Sequence, residues 1–270
     1  MIKTYKIFKI LLILLVAYLL LAVIFSRSDT FTFNFEKTGL KDEIADLLKD
    51  SEGKYGIYIK NLSTGEIFSR QEDEEFQAGS LYKLWVMKAA FEQIKEGKIK
   101  EDDLLVADVV FLNKKFDLDK EEAEFQSGMI NFSIKSAIEQ MITISHNYAA
   151  LALLNRLGSS EDIPEKITAK EAASFLEKLY RGEIIDQEYS KQMMELLSRQ
   201  TINDRIPKYL PPGTKVAHKT GDIGFFENDA GVIFSPKGDF VIVVLSETKD
   251  PAAAGEIIAK ISEAVYDYFN

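Results

Sequence analysis

Three short runs of residues have the types and spacing for acyl transfer through a serine. The first is Ser80-Leu81-Tyr82-Lys83, an S-x-x-K. On a helix, positions i and i+3 share a face, so the lysine amine can reach the serine hydroxyl. Serine is a weak nucleophile until a neighbouring base takes its proton. Lysine becomes that base when burial and a nearby cation favour its neutral form. Ala78-Gly79 before the run and Leu84-Trp85-Val86-Met87 after it predict a buried helix that starts at Ser80. A serine there lies beside unpaired backbone N–H groups, the donors an oxyanion needs. The second run is Ser145-His146-Asn147, an S-x-N. Its hydroxyl could pass a proton, and its amide could bind a substrate carbonyl or hold a lysine. The third is Lys219-Thr220-Gly221. It offers a cation and a hydroxyl to a substrate carboxylate, and its glycine lets a ligand approach a strand edge.

Each run also has a plainer reading. Ser80 could be an N-cap, and Ser145-His146-Asn147 could cap the helix that follows. Lys219-Thr220-Gly221 alone says little, and Ser51-Glu52-Gly53-Lys54 also matches S-x-x-K, in a turn. Composition narrows the chemistry further. The chain has 270 residues, 46% of them apolar and 28% charged, which is one large or two small globular domains. It has no cysteine, which excludes disulfides, thiolate nucleophiles and iron–sulfur clusters. His146 and His218 are the only histidines, so a multi-histidine metal site is not expected. A net charge of −10 argues against a nucleic-acid partner.

The elements that must position these runs read as a sheet interrupted by helices. Residues 41–48 have helical periodicity, and 55–60 and 66–69 read as strands around a Ser63-Thr64-Gly65 turn. A long helical stretch covers 81–95, 134–142, 148–157, 169–180 and 190–198, with Thr168-x-x-Glu171 as a capping box. Strands return at 215–219, 230–234 and 240–245, the last two joined by a Ser235-Pro236-Lys237-Gly238-Asp239 turn. Residues 252–269 close the chain as an amphipathic helix. This order predicts an α+β fold with an inserted helical lobe, and a site in the cleft between the parts.

The N-terminal segment differs. Residues 1–28 carry Lys3, Lys6, Lys9 and Arg27 and no acid, which leaves −14 on the remaining 242 residues. Residues 10–25 are sixteen uncharged, Leu- and Ile-rich positions. With Lys9 snorkelling, the run nears the length that a bilayer core requires. The preceding lysines put the N-terminus inside and the bulk of the chain outside. An uncleaved single-pass anchor is the expected reading. A cleaved signal peptide is its rival, although Ser26-Arg27-Ser28 is a poor cleavage site. Without a nearby cysteine, lipid attachment to the segment is excluded.

In their order, the three runs resemble the penicillin-recognising serine enzymes, and most closely the class A β-lactamases. Sixty-five residues separate Ser80 from Ser145, and 74 separate Ser145 from Lys219. The resemblance extends to Glu96-Gly97-Lys98-Ile99, Asp204-Arg205-Ile206-Pro207, Leu210-Pro211-Pro212-Gly213-Thr214 and Asn228-Asp229-Ala230-Gly231-Val232-Ile233. It covers the chain from about residue 36 onward.

The resemblance implies an antiparallel sheet flanked by N- and C-terminal helices, with an inserted all-helical lobe. The catalytic domain would span 29–270, with the sheet part at about 36–75 and 213–270 and the lobe at about 76–212. Ser80 would be the nucleophile, Lys83 its base or relay, and Ser145 the proton donor to the leaving nitrogen. Asn147 would hold the substrate amide, and Lys219, Thr220 and Gly221 would hold its carboxylate. The backbone N–H groups of Ser80 and Asp222 would form the oxyanion hole. No metal or organic cofactor is implied. The partner would be a β-lactam or a D-Ala-type peptide, met outside a bacterial membrane.

Two departures stand out. His146 occupies the position where class A enzymes carry an acid. The family's E-x-x-L-N segment, whose glutamate activates the deacylating water, is missing from the interval between Asn147 and Thr168, which follows 21 positions later. Glu161 and Glu165 are the only glutamates in that loop, and both are expected to face solvent. Acylation therefore looks equipped and fast deacylation does not. A D,D-peptidase or esterase acting on cell-wall peptides, and a non-hydrolytic β-lactam sensor, remain alternative readings.

Overall fold

A computed structural model describes residues 39–158 and 163–270. The segment expected to be an anchor and Glu161 lie outside the described residues. Among the described residues, no helix is long and apolar enough to cross a membrane.

A five-stranded antiparallel sheet is built from β1 (Lys54–Asn61), β2 (Ile67–Arg70), β7 (Lys215–Ile223), β8 (Phe226–Phe234) and β9 (Phe240–Glu247). Its order is β2-β1-β9-β8-β7. Strand β9 reads Phe-Val-Ile-Val-Val-Leu without polar alternation because both sheet faces are covered. On one face, Ile57, Ile59, Ile242 and Val244 pack with α1 (Leu40–Leu48) and α8 (Pro251–Phe269). Helix α1 buries Leu40, Ile44 and Leu48, one helical stripe. On the other face, Val232, Val241, Val243 and Leu245 join the core of the helical lobe.

The lobe contains α2 (Lys83–Lys95), α3 (Val109–Lys115), α4 (Ile134–Thr143), α5 (Asn147–Leu157), α6 (Ala169–Tyr180) and α7 (Gln187–Leu197). Helix α6 starts at the expected capping box: the Thr168 hydroxyl accepts from Glu171 N–H, and the Glu171 carboxylate accepts from Thr168 N–H. The lobe also carries two short antiparallel ribbons within the stretch read as helical. β4 (Leu104–Asp108) pairs with β5 (Met129–Ser133). β3 (Phe76–Gln77) pairs with β6 (Lys166–Ile167), and Ala78 N–H donates to Glu165 O at 2.9 Å. This second ribbon ties the segment before α6 to the turn that carries Ser80.

Candidate active site

Ser80 sits in a 3-10 turn, Gly79–Tyr82, which leads into α2. Neither the turn nor α2 is capped by a side chain, so Ser80 does not serve as an N-cap. Two glycines fix the turn against β7. Gly79 has φ +50°, and a Cβ there would stand 2.9 Å from Asp222 N. A Cβ on Gly221 would stand 2.6 Å from Ala78 O and 3.0 Å from Leu81 N. The two backbones therefore touch where an oxyanion hole made by Ser80 and Asp222 N–H would lie.

Ser145 occupies the junction of α4 and α5 with φ +57°. A left-handed conformation costs a serine about 1–2 kcal/mol and persists only where surroundings impose it. Here His146 takes over the capping. Its N–H donates to Gln140 O at 3.1 Å, and its Nδ1 accepts from Ala149 N–H at 3.3 Å. The His146 ring also packs edge-on against Phe132. The Ser145 hydroxyl is thereby left free of the cap.

That hydroxyl is the hub of the site. Lys83 Nζ donates to Ser145 Oγ at 3.1 Å, to Ser145 O at 2.7 Å and to Asn147 Oδ1 at 2.8 Å. From the sheet side, Lys219 Nζ donates to the same Oγ at 2.9 Å and to Thr220 O at 3.0 Å. Lys83, Ser145, Asn147 and Lys219 thus form one hydrogen-bonded group drawn from three remote stretches. Among the described residues no hydrogen bond joins Ser80 to Lys83; all three ammonium donors are directed to Ser145 and Asn147. By contrast, Ser51 bonds the Tyr55 hydroxyl and Lys54 pairs with Glu74, so the other S-x-x-K belongs to an ordinary strand entrance.

Burial and the Lys219 charge push the Lys83 pKa down to about 7, against opposing pulls from Glu124 and Asp222. Burial lowers Lys219 to about 8, with Asp229 and Asp222 opposing. Near neutral pH, Lys83 therefore has access to a neutral, basic form while Lys219 keeps most of its charge. Thr220 Oγ1 is buried and has no hydrogen-bond partner.

Two acidic features did not emerge from the sequence reading. Glu124, in the loop between α3 and β5, accepts from Asn147 Nδ2 at 3.5 Å. The hydroxyl of buried Tyr148 holds that loop, lying 2.6 Å from Asn113 Oδ1 and 2.8 Å from Phe125 O. Arg205 lies buried under β7 and β8. Its Nη1 pairs with Asp222 Oδ1 and donates to Asn228 O at 2.8 Å. Its Nε stands 2.7 Å from Glu227 Oε1 without the alignment of a hydrogen bond. Neither feature has a short sequence pattern, because each joins a loop to a distant element. Glu165 is exposed and contributes only its main-chain bond to Ala78.

Known proteins share this architecture. A β-lactamase of Bacillus licheniformis is 22% identical over 87% of this chain and 85% of its own length. The crystal structure of a β-lactamase from Sphaerobacter thermophilus superposes with a TM-score of 0.73 at 23% identity, over 86% of this chain and 97% of that one. A variant of PBP-A, solved as an acyl-enzyme complex with penicillin G, gives 0.73 at 23% identity, over 85% and 95%. The model of the β-lactamase enzyme family matches residues 39–269, and the chain belongs to that family.

Proposed function

We propose that the chain is an exported, membrane-anchored serine hydrolase that forms an acyl-enzyme at Ser80 with β-lactams and releases it slowly. The observation that carries this reading is the Ser145 hydroxyl, which accepts from both Lys83 and Lys219. Its own proton is then directed outward, toward a substrate. Neutral Lys83 takes the Ser80 proton as Oγ bonds to the carbonyl carbon. The C–N bond breaks, the nitrogen takes the Ser145 proton, and Lys83 returns a proton to Ser145. The Ser80 and Asp222 N–H groups face the oxyanion, Asn147 holds the acyl amide, and Lys219 and Thr220 hold the substrate carboxylate. The unpartnered Thr220 hydroxyl suits that role, since a ligand acceptor would satisfy it. The acyl-enzyme formed by a PBP-A variant with penicillin G supports the same chemistry here.

Slow release rests on where the carboxylates lie. Among the described residues, the one carboxylate bonded to the Lys83–Asn147 group is Glu124, from a loop remote in sequence from the family's glutamate. General-base help is worth about 10²–10⁴-fold, so an ester without it persists. Export and anchoring rest on the lysines and the uncharged run in the N-terminal segment. The test is intact-mass spectrometry after mixing with benzylpenicillin. A Ser80 adduct lasting minutes or longer, with weak nitrocefin turnover, is expected. No adduct at all overturns the reading. The same missing glutamate favours a second reading as a D,D-peptidase, identified by D-Ala release from a peptide without nitrocefin turnover.

A further inference from the structure

A cleft of about 480 Å³ opens between α2, α6 and the short strand β6. None of its lining residues belongs to the Lys83–Ser145–Asn147–Lys219 group. Its floor is aromatic: the rings of Trp85 and Phe175 lie with centroids 4.7 Å apart, tilted by 38°. Trp85 stands on α2 two residues beyond Lys83, about 200° around the helix, so the indole and the catalytic amine leave the helix on opposite sides. The rim is basic, with Lys88 on α2, Lys166 on β6 and Lys178 on α6. Glu171 is the one acid that lines the cleft. Its carboxylate is committed to the capping box, where it accepts from Thr168 N–H and Oγ1. Glu177, next to Lys178, is taken by Lys60 and Arg181. Lys88 pairs with Glu92 at 3.0 Å, and Lys166 reaches Glu75 only at 3.9 Å. Among the described residues, Lys178 has no ion pair. Three ammonium groups thus meet one carboxylate, in a chain whose net charge is −10.

A concave apolar floor with a few charged groups at its edge is the usual build of a small-molecule site. Lysine attracts an anion as a point charge, without a fixed geometry. Trp85 is only partly buried, and its indole N–H has no hydrogen-bond partner among the described residues. We infer that this cleft is a second, noncovalent binding site, one that takes an aromatic carboxylate. The ring lies against Trp85 and Phe175, where it removes apolar surface from water. The carboxylate lies toward Lys166 and Lys178, which have no close counter-ion of their own. A neutral aromatic gains only the floor and a small carboxylate only the rim, so both parts of the ligand contribute. The walls of the cleft also belong to the frame of the Ser80 turn. Lys166 and Ile167 pair with Gln77 and Phe76, just before that turn, and Trp85 shares a helix with Lys83. The inference does not depend on the acyl-enzyme reading.

Trp85 is the only tryptophan in the chain, so its emission reports on the floor of this cleft. The test titrates the full chain with para-nitrobenzoate, whose ring quenches indole emission. Quenching should saturate, as binding does and collision does not. The neutral para-nitrobenzyl alcohol keeps the ring and should bind more weakly, and acetate should fail to displace the aromatic acid. Lys166→Gln and Lys178→Gln should each weaken para-nitrobenzoate by about fivefold, the scale of one charge contact in water-like surroundings. Lys178→Arg keeps the charge and should keep the affinity. Added salt should weaken the acid and spare the alcohol, a comparison that needs no variant. Quenching that rises without saturation, that is equal for acid and alcohol at every salt concentration, or that survives both glutamine substitutions unchanged overturns the assignment. The last outcome would put the anion elsewhere, such as beside Lys219. Labelling of Ser80 by penicillin is read separately by mass, so the two readings stand or fall apart.

Discussion

At the scale of single residues, the site works by making charge expensive. Lys83 is fully buried and shares the Ser145 hydroxyl with a second cation. Desolvation and that neighbour together bring it to about 7, while Lys219 stays near 8. Two coupled lysines titrate as a pair, so the acylation rate should follow a bell in pH. It should rise through about 7 as Lys83 frees its lone pair and fall through about 8 as Lys219 loses its charge. A rate that is flat from pH 6 to 9 would contradict this. Glu124 adds a second check. Its anion favours the Lys83 ammonium, so Glu124→Gln should lower the Lys83 pKa and move the acid limb of the bell to lower pH. A shift to higher pH, or none, would show that Glu124 does not act on the lysine. The adduct lifetime addresses deacylation: neither Glu124→Gln nor Glu165→Gln should prolong it, because the proposed slow release has no carboxylate acting as base, and a clear lengthening in either variant would identify one.

At the scale of elements, the decisive feature is the contact between the Ser80 turn and β7. A Cβ on Gly221 would overlap Ala78 O at 2.6 Å, and neither backbone can yield without moving the Ser80 and Asp222 N–H groups. Gly221→Ala should therefore cost about 10²-fold or more in acylation, the scale of a lost oxyanion donor. Penicillin labelling kinetics check this, and an unchanged rate would mean that the turn and strand are not held as one unit. Thr168→Ala removes the α6 cap, which is no part of the hydrogen-bonded group around Ser145, and should cost about 1 kcal/mol of stability with little effect on labelling. The motif-bearing elements were legible because their signals are local: Thr168-x-x-Glu171 is a cap in four residues, and the long helices keep one apolar stripe. The β4–β5 ribbon was not. Leu104 and Val106 are apolar yet exposed, so residues 104–108 show no alternation to read. The Arg205 cluster was hidden for a different reason: strand register brings Asp222 and Glu227 together, and a loop supplies the cation. Spacing along the chain carries neither fact.

At the scale of the whole molecule, the site opposes the fold that holds it. Lys83 and Lys219 are buried with pKa values below the ordinary 10.5, so between about 7 and 10.5 the folded chain binds fewer protons than the unfolded chain. Stability from these groups must then rise with pH across that window. Glu227 has the opposite sign. Burial lifts it from 4.5 to about 7, Arg205 opposes the shift, and Asp222, Asp204 and Asp229 add to it. The folded chain binds the extra proton between about 4.5 and 7, so this contribution falls as pH rises through that interval. The two effects place a shallow stability minimum near neutrality, where the proposed chemistry would run. Stability exchanged for a poised site is a common compromise in enzymes. Urea unfolding of the unmodified chain and of Lys83→Met at several pH values tests the lysine limb. The difference in unfolding free energy should move in favour of the unmodified chain as pH rises from 7 to 10, since only that chain carries the lysine whose ammonium burial penalises. A difference that stays constant over that range would mean that Lys83 keeps its proton in the folded state, and the base would have to be sought elsewhere in the site.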